Sequence, residues 1–175
     1  MHTLHWVAVE AESKEQATWI VRDFLESQMG NAYNSPSWYD WFIIGGGRWN
    51  EEDDSDLATN MVINYSENPT EFIAQLDRSL DNRMEAFNSY KERLGDNLHL
   101  LEEAIDNFQG KSIGYNPEIY SLSQMIEIMD CEWNWSAFFY DIEDSSADIV
   151  WFKEAITKDD YTNANLYLVP VDFHY

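Results

Sequence analysis

Residues 69–109 read PTEFIAQLDRSLDNRMEAFNSYKERLGDNLHLLEEAIDNFQ. Here Phe72, Ile73, Leu76, Leu80, Met84 and Phe87, then Leu94, Leu98, Leu101, Ile105 and Phe108, recur at the spacing that lines one face of a helix. The pattern predicts one helix from 69 to 94, a break near Gly95-Asp96, and a second helix from 97 to 109 that can fold back as a hairpin. Outward from this centre the pattern changes to strands. On the N-terminal side, Thr3 to Glu10 (TLHWVAVE) is a strand, followed by a helix with Ser13 as N-cap, Gln16 three residues on, Ala17, Ile20, Val21, Phe24 and Leu25 on one face, and Gly30 as its stop. The turn-rich NAYNSPS leads to a second strand, Trp38 to Ile44, closed by three glycines. Residues 50–58 form an acidic loop, and MVINYS at 61–66 a short third strand.

On the C-terminal side, Gln109-Gly110 and KSIGYNP close the helical region, and Pro117 starts another helix, EIYSLSQMIEIMD. From Glu132, WNWSAFFYDIE reads as a strand, DSSAD as an acidic turn and 148–157 as a short helix. The last strand is 165–173; Pro170 lacks a ladder N–H, which puts that strand at an edge or gives it a bulge. No internal repeat or linker interrupts the chain, so residues 1–175 read as one acidic α+β domain. Its expected form is a mostly antiparallel sheet with helices on one face, for which a ferredoxin-like plait is one arrangement, and a long helical insertion at about 69–109.

Composition narrows the function. The chain has 175 residues, with 33 Asp and Glu against 10 Lys and Arg, for a net charge of −23. Its 8 Trp, 10 Tyr and 9 Phe exclude an acidic disordered tail, which lacks the aromatics to offset ordering entropy. Direct binding to a nucleic-acid backbone is disfavoured, because that affinity comes from Lys and Arg. A single cysteine, Cys131, leaves no intrachain disulfide and no zinc-finger spacing, in keeping with a reducing compartment. The N-terminus has none of the three regions of a secretion signal, and no stretch approaches the roughly 20 apolar residues of a membrane span. The expected location is the cytoplasm, with no membrane partner.

The densest local feature is IIGGGRWN, Ile43 to Asn50. Gly45, Gly46 and Gly47 permit positive φ and close backbone approach, while Arg48 and Trp49 offer a guanidinium fork and a stacking face. Such a loop can hold a phosphate, a carboxylate or a base, or it can be a tight turn whose arginine pairs with nearby acid. No phosphate-loop or dinucleotide fingerprint accompanies it. The run Asp40-Trp41-Phe42-Ile43-Ile44-Gly45-Gly46-Gly47-Arg48-Trp49 resembles a D-W-[FY]-x-I-G-G-R-W signature of small uncharacterised phage and bacterial proteins, and Val171-Asp172-Phe173-His174 resembles their C-terminal V-x-D-x-H strand. This chain has one extra glycine and has Phe173 at a cysteine position. The resemblance implies a phage-like origin and a shared sheet, and carries no activity with it.

His5 lies in the first strand and His174 in the last. If these strands are neighbours, both rings approach Asp172 and Arg48 and offer acid–base chemistry; the plainer reading is two strand histidines with their tips in water. His2 and His99 fit no constellation, and no GxSxG, HExxH or Cys/His pair is present. Glu51, Glu52, Asp53 and Asp54 lack the calcium-loop pattern, so no metal and no cofactor is expected. Trp133 and Trp135 fall on one face of the expected strand, where they read either as core or as a contact surface.

Charge distribution points to a partner. Arg48 and Arg78 bracket a tract with no Lys or Arg, which holds Glu51, Glu52, Asp53, Asp54, Asp56, Glu67, Glu71 and Asp77; Lys111 and Lys153 bracket another, with Asp141, Glu143, Asp144 and Asp148 among its acids. Self-repulsion of this kind destabilises the compact state, so its retention suggests a use. Two uses fit: carboxylates that imitate nucleic-acid phosphates in the basic groove of a nuclease or other defence enzyme, or adaptation to high salt. The leading expectation is a non-enzymatic phage-type inhibitor of a basic, nucleic-acid-handling host protein, contacting it through Glu51, Glu52, Asp53, Asp54, Asp56, Asp141, Glu143, Asp144, Asp148, Trp133 and Trp135. The alternative is a small enzyme or ligand-binding protein that uses Gly45, Gly46, Gly47, Arg48 and Trp49 with His5, Asp172 and His174.

Overall fold

In chain order the elements are β1 (His2–Glu10), α1 (Lys14–Gln28), β2 (Trp41–Ile44), a single 3-10 turn (Gly47–Trp49), β3 (Ile63–Asn64), α2 (Pro69–Asp96), α3 (Leu98–Asp106), α4 (Pro117–Met129), β4 (Phe139–Asp141), α5 (Ile149–Thr157) and β5 (Leu166–His174). The computed structural model describes residues 1–28, 38–106, 116–158 and 165–175. The expected helix stop at Gly30, the turn at 31–37, the end of the second central helix at 107–109 and the loop at 109–115 lie outside the described residues.

Helix starts follow local chemistry. The Ser13 hydroxyl accepts the Gln16 N–H at 3.2 Å, and the Gln16 side chain accepts the Glu12 N–H. Asn68 accepts the Glu71 N–H ahead of α2, Asn116 accepts the Glu118 and Ile119 N–H groups ahead of α4, and Asp148 accepts the Trp151 N–H ahead of α5. Pro69 and Pro117 occupy the first turn, where a missing N–H is harmless. The break in the centre falls at Asn97 rather than Gly95: the Asn97 N–H donates to Leu94 O, and its amide to Arg93 O. Among the described residues α2 packs along α4 rather than folding back on α3. Where that layer meets α5, buried Arg83 donates to Ala147 O and Ile128 O.

The sheet has the order β2-β5-β1-β4, and β3 pairs with β5 further along the edge that β2 occupies. β1 and β5 pair antiparallel over nine residues, from His2 opposite His174 to Glu10 opposite Leu166, while β4 runs parallel to β1. The terminal segments are therefore neighbours in one sheet of an α+β fold, as the sequence predicts. Two finer expectations are corrected. Helices cover both faces, unlike a ferredoxin-like plait, whose helices lie on one. Val7, Val9, Val169, Val171 and Phe173 bury against Ala17, Val21 and Leu25 of α1, and Trp6, Ala8, Leu166, Leu168 and Phe139 bury against Phe72 and Leu76 of α2 and Ile149, Phe152 and Ile156 of α5. Each fully buried Val, Leu, Ile or Phe among them contributes about 1.5–3 kcal/mol.

The second correction concerns Pro170, because β5 is central rather than an edge. Residue 170 falls between the stretches of β5 that pair with β2 (171–174) and with β3 (167–168). Its carbonyl accepts the Gly45 N–H at 2.8 Å, and the missing N–H coincides with the gap in that ladder. The expected strand from Glu132 is also shorter, since only Phe139–Asp141 pairs. Residues 132–138 form a loop bracketed by positive φ at Cys131 (55°) and Phe138 (58°).

Candidate functional site

Strand parity builds the site. Residues opposite one another in an antiparallel pair share a face, so His2 and Leu4 of β1, Asp172 and His174 of β5, and Trp41 and Ile43 of β2 point to the same side. Further along that side, α2 and α5 cover the sheet; at this end His2 and His174 stay 24% and 32% exposed and Trp41 39%. Asp172 is buried beneath them. One of its oxygens accepts from His2 Nδ1 at 2.9 Å and the other from the Arg48 backbone N–H at 3.3 Å. His174 Nδ1 meets Asp40 at 2.6 Å, and this hydrogen bond holds the Asp40 carboxyl below the usual carboxylate range. The two imidazoles lie 4.9 Å apart between ring centres with planes at 72°, and the Trp41 indole stacks on His174 at 5.0 Å. Trp49 closes the side at 6.2 Å from His2. An open groove of about 700 Å³ leads from His2 and Leu4 past Trp49 to Gln75, Arg78 and Glu85 on α2.

The triple glycine is a structural requirement of this end of the sheet. All three residues have positive φ, 96°, 97° and 46°. A Cβ on Gly45 would stand 2.5 Å from the Ala58 carbonyl oxygen, and one on Gly47 would stand 2.8 Å from an Asp172 carboxylate oxygen. The turn thus turns the chain out of β2 and brings the Arg48 N–H onto Asp172. The Arg48 guanidinium lies over the Trp49 ring at 5.4 Å, and both side chains are exposed. It is the backbone of Arg48 rather than its side chain that is anchored to a carboxylate.

Beyond the turn the acidic loop is pinned at both ends. Buried Asn50 and exposed Asn60 exchange reciprocal side-chain amide hydrogen bonds of 2.7 and 2.9 Å, and Asn50 also donates to Gly45 O and accepts from the Asp53 N–H. Asp56 pairs with Arg22 and accepts the Ile44 N–H. Ser55 donates twice to Asp53, which lowers the Asp53 pKa. Between these anchors Glu51, Glu52, Asp53 and Asp54 project into solvent from an ordered backbone. Among the described residues no three metal-ligand side chains are gathered.

The expected residues thus divide. Gly45, Gly46, Gly47, Arg48, Trp49, Asp172 and His174 do come together, but His5 does not join them. It is opposite Val171, one residue out of phase with Asp172, so its ring lies on the other face. There it is fully buried against Trp38, Phe138 and Phe173, bonded to Trp135 O, and desolvation pushes its pKa down to about 3. His2 takes the place expected of His5. It stands opposite His174 in the β1–β5 register, which neither strand's sequence announces, and Asp40 and Trp41, at the entry to β2, complete the group.

Among the acidic residues, Asp141 is buried and accepts the Glu143 N–H, and Asp148 caps α5; both serve the fold rather than a surface. Glu143 and Asp144 are exposed. Trp133 stacks on Tyr140 at 4.2 Å within a cluster with Phe24, Trp38 and Tyr39, and Trp135 packs on Tyr90 and Tyr175. The two indoles pack into separate aromatic groups and each stays half-buried. No helix among the described residues is long and apolar enough to cross a membrane. No known protein family matches the chain, and no curated protein or solved structure matches it either.

Proposed function

We propose that this protein is a binding protein of inhibitor type, which occupies the basic nucleic-acid groove of a nuclease or similar defence enzyme in the cytoplasm of a phage-infected host. The observation that carries the reading is the pinned loop Glu51–Asp54. Four consecutive exposed carboxylates stand on a backbone fixed by the Asn50–Asn60 amide pair and by Asp56, and no Lys or Arg occurs between Arg48 and Arg78. Rigid presentation matters because ordering a loop on binding costs free energy, and a duplex backbone is itself a pre-ordered row of anions. The net charge of −23 adds long-range steering towards a cationic groove. Glu143 and Asp144, which follow β4, are exposed as well. The resemblance of Asp40–Trp49 and Val171–His174 to small phage and bacterial proteins is in keeping with a phage source.

The test is binding to the basic protein captured from host lysate, measured at about 50 and about 300 mM salt with duplex DNA as competitor. The expected result is a steep loss of affinity with salt, displacement by DNA, and slower association when Glu51, Glu52 and Asp54 are changed to Lys. Asp53 is left in place because it holds the Ser55 turn. Salt-insensitive binding that DNA leaves untouched would reject the reading.

A further inference from the structure

The geometry points to a two-imidazole site for a divalent transition metal of the zinc class, held by Nε2 of His2 and Nε2 of His174, with Asp172 and Asp40 orienting the rings. It stands independently of the proposed partner, because it rests on a different end of the molecule's chemistry. Each Nδ1 is committed to a carboxylate, His2 to Asp172 at 2.9 Å and His174 to Asp40 at 2.6 Å. In a neutral imidazole whose Nδ1 donates, Nε2 carries a lone pair and no proton. A carboxylate behind each ring is the arrangement that fixes the tautomer and raises the basicity of metal-binding histidines.

Spacing agrees with a shared ion. A tetrahedral zinc about 2.0–2.1 Å from each nitrogen lies about 3 Å from each ring centre, so two imidazoles on one ion have centres about 5 Å apart. The observed separation is 4.9 Å, with planes at 72° that exclude face-to-face stacking. The backbone sets this distance, because His2 and His174 stand directly opposite in an antiparallel pair. Both rings are part-exposed, at 24% and 32%, which leaves an entry path.

Charge selects the class of ligand. Two imidazoles beside two aspartates in a chain of net charge −23 attract a dication and repel an anion. Imidazole favours zinc, copper, nickel and iron over magnesium and calcium. Since no three ligand side chains gather among the described residues, the remaining positions on the ion fall to water or to a group brought by a partner.

The experiment is calorimetric titration of the full chain with Zn²⁺ in millimolar Mg²⁺, which occupies the exposed carboxylates. One Zn²⁺ per chain is expected. His174→Asn, at a part-exposed ring, is expected to weaken the affinity at least tenfold, and Asp40→Asn about tenfold. A chelate of the Met1 amine with His2 needs neither His174 nor Asp40, so unchanged affinity in His174→Asn overturns the proposal. Loss of the Zn²⁺ signal in Mg²⁺ overturns it as well, since the ion is then on surface carboxylates. Imidazole ¹⁵N resonances of the unmodified chain give the same answer without a variant: Nε2 of both His2 and His174 must shift on Zn²⁺ addition, and shifts confined to His2 refute the shared site.

Discussion

Acidification should unfold this protein through His5, and the size of the effect follows from its surroundings. The ring is fully buried among Trp38, Phe138 and Phe173, Nε2 bonds to Trp135 O at 3.3 Å, and Nδ1 has no hydrogen-bond partner among the described residues. Desolvation lowers its pKa from 6.5 to about 3. A histidine depressed in the folded state stabilises the fold fully above its unfolded pKa, and that stability is lost as pH falls, because the unfolded chain takes up a proton that the folded one refuses. Between about pH 7.5 and about pH 5, close to 1.5 units below the unfolded pKa, the loss is about 2 kcal/mol at 1.36 kcal/mol per unit. The assay is urea unfolding at both pH values for the parent chain and for His5→Phe, which keeps a ring in the same aromatic slot. The 33 carboxylates and the other histidines contribute equally to both chains, so the difference between the two pH responses isolates His5. A double difference below about 0.5 kcal/mol would refute the burial argument.

Substitution at the glycines separates strain from space. Gly45→Ala, with φ at 96° and the Ala58 carbonyl oxygen 2.5 Å from the new Cβ, is expected to lower unfolding free energy by about 2–4 kcal/mol, whereas Gly95→Ala, in the last turn of α2 with nothing within 4 Å, should raise it by about 0.5–1 kcal/mol. Thermal and urea melts check both, and equal effects would contradict the geometry. Arg83→Met removes the donors to Ala147 O and Ile128 O while keeping much of the apolar stem; a loss of about 1–3 kcal/mol is expected, because the Ala147 carbonyl loses its donor while Ile128 O keeps the Cys131 N–H. A neutral result in urea unfolding would show that water replaces the guanidinium.

What could be read from the sequence was whatever local chemistry decides. Asn68-Pro69, Asn116-Pro117 and Asp148 carry their helix starts openly, and the apolar period of α2 needed no partner to be seen. LYLVPV, an apolar run with little alternation, is what a strand covered on both faces looks like, but Pro170 reads as an edge signal and the two-sided burial of β5 was missed. What could not be read was register. Whether His2 or His5 meets Asp172 depends on a one-residue phase between strands about 160 positions apart, and nothing within either strand sets it. The same limit applies to Asp141 and Asp148, which are indistinguishable by type from Glu143 and Asp144. Pairing and capping partners, set by the fold, decide which of the four face water. Trp133 and Trp135 alternate as a strand would, and only the positive φ at Cys131 and Phe138 turns their segment into a loop.

The position of β5 at the centre of the sheet has a consequence for vectorial synthesis. β1, β2 and β3 all pair with β5, which leaves the ribosome after every other strand. Until then β2 and β3 have no ladder partner in the chain, β1 has only its short parallel pairing with β4, and α1 lacks the part of its apolar seat that β5 supplies. Sheet formation is thus a late and long-range event, of the kind that folds slowly and exposes unpaired strand edges on the way. A nascent chain stalled before Leu166 should remain bound by chaperones and open to protease, and gain resistance only when β5 emerges.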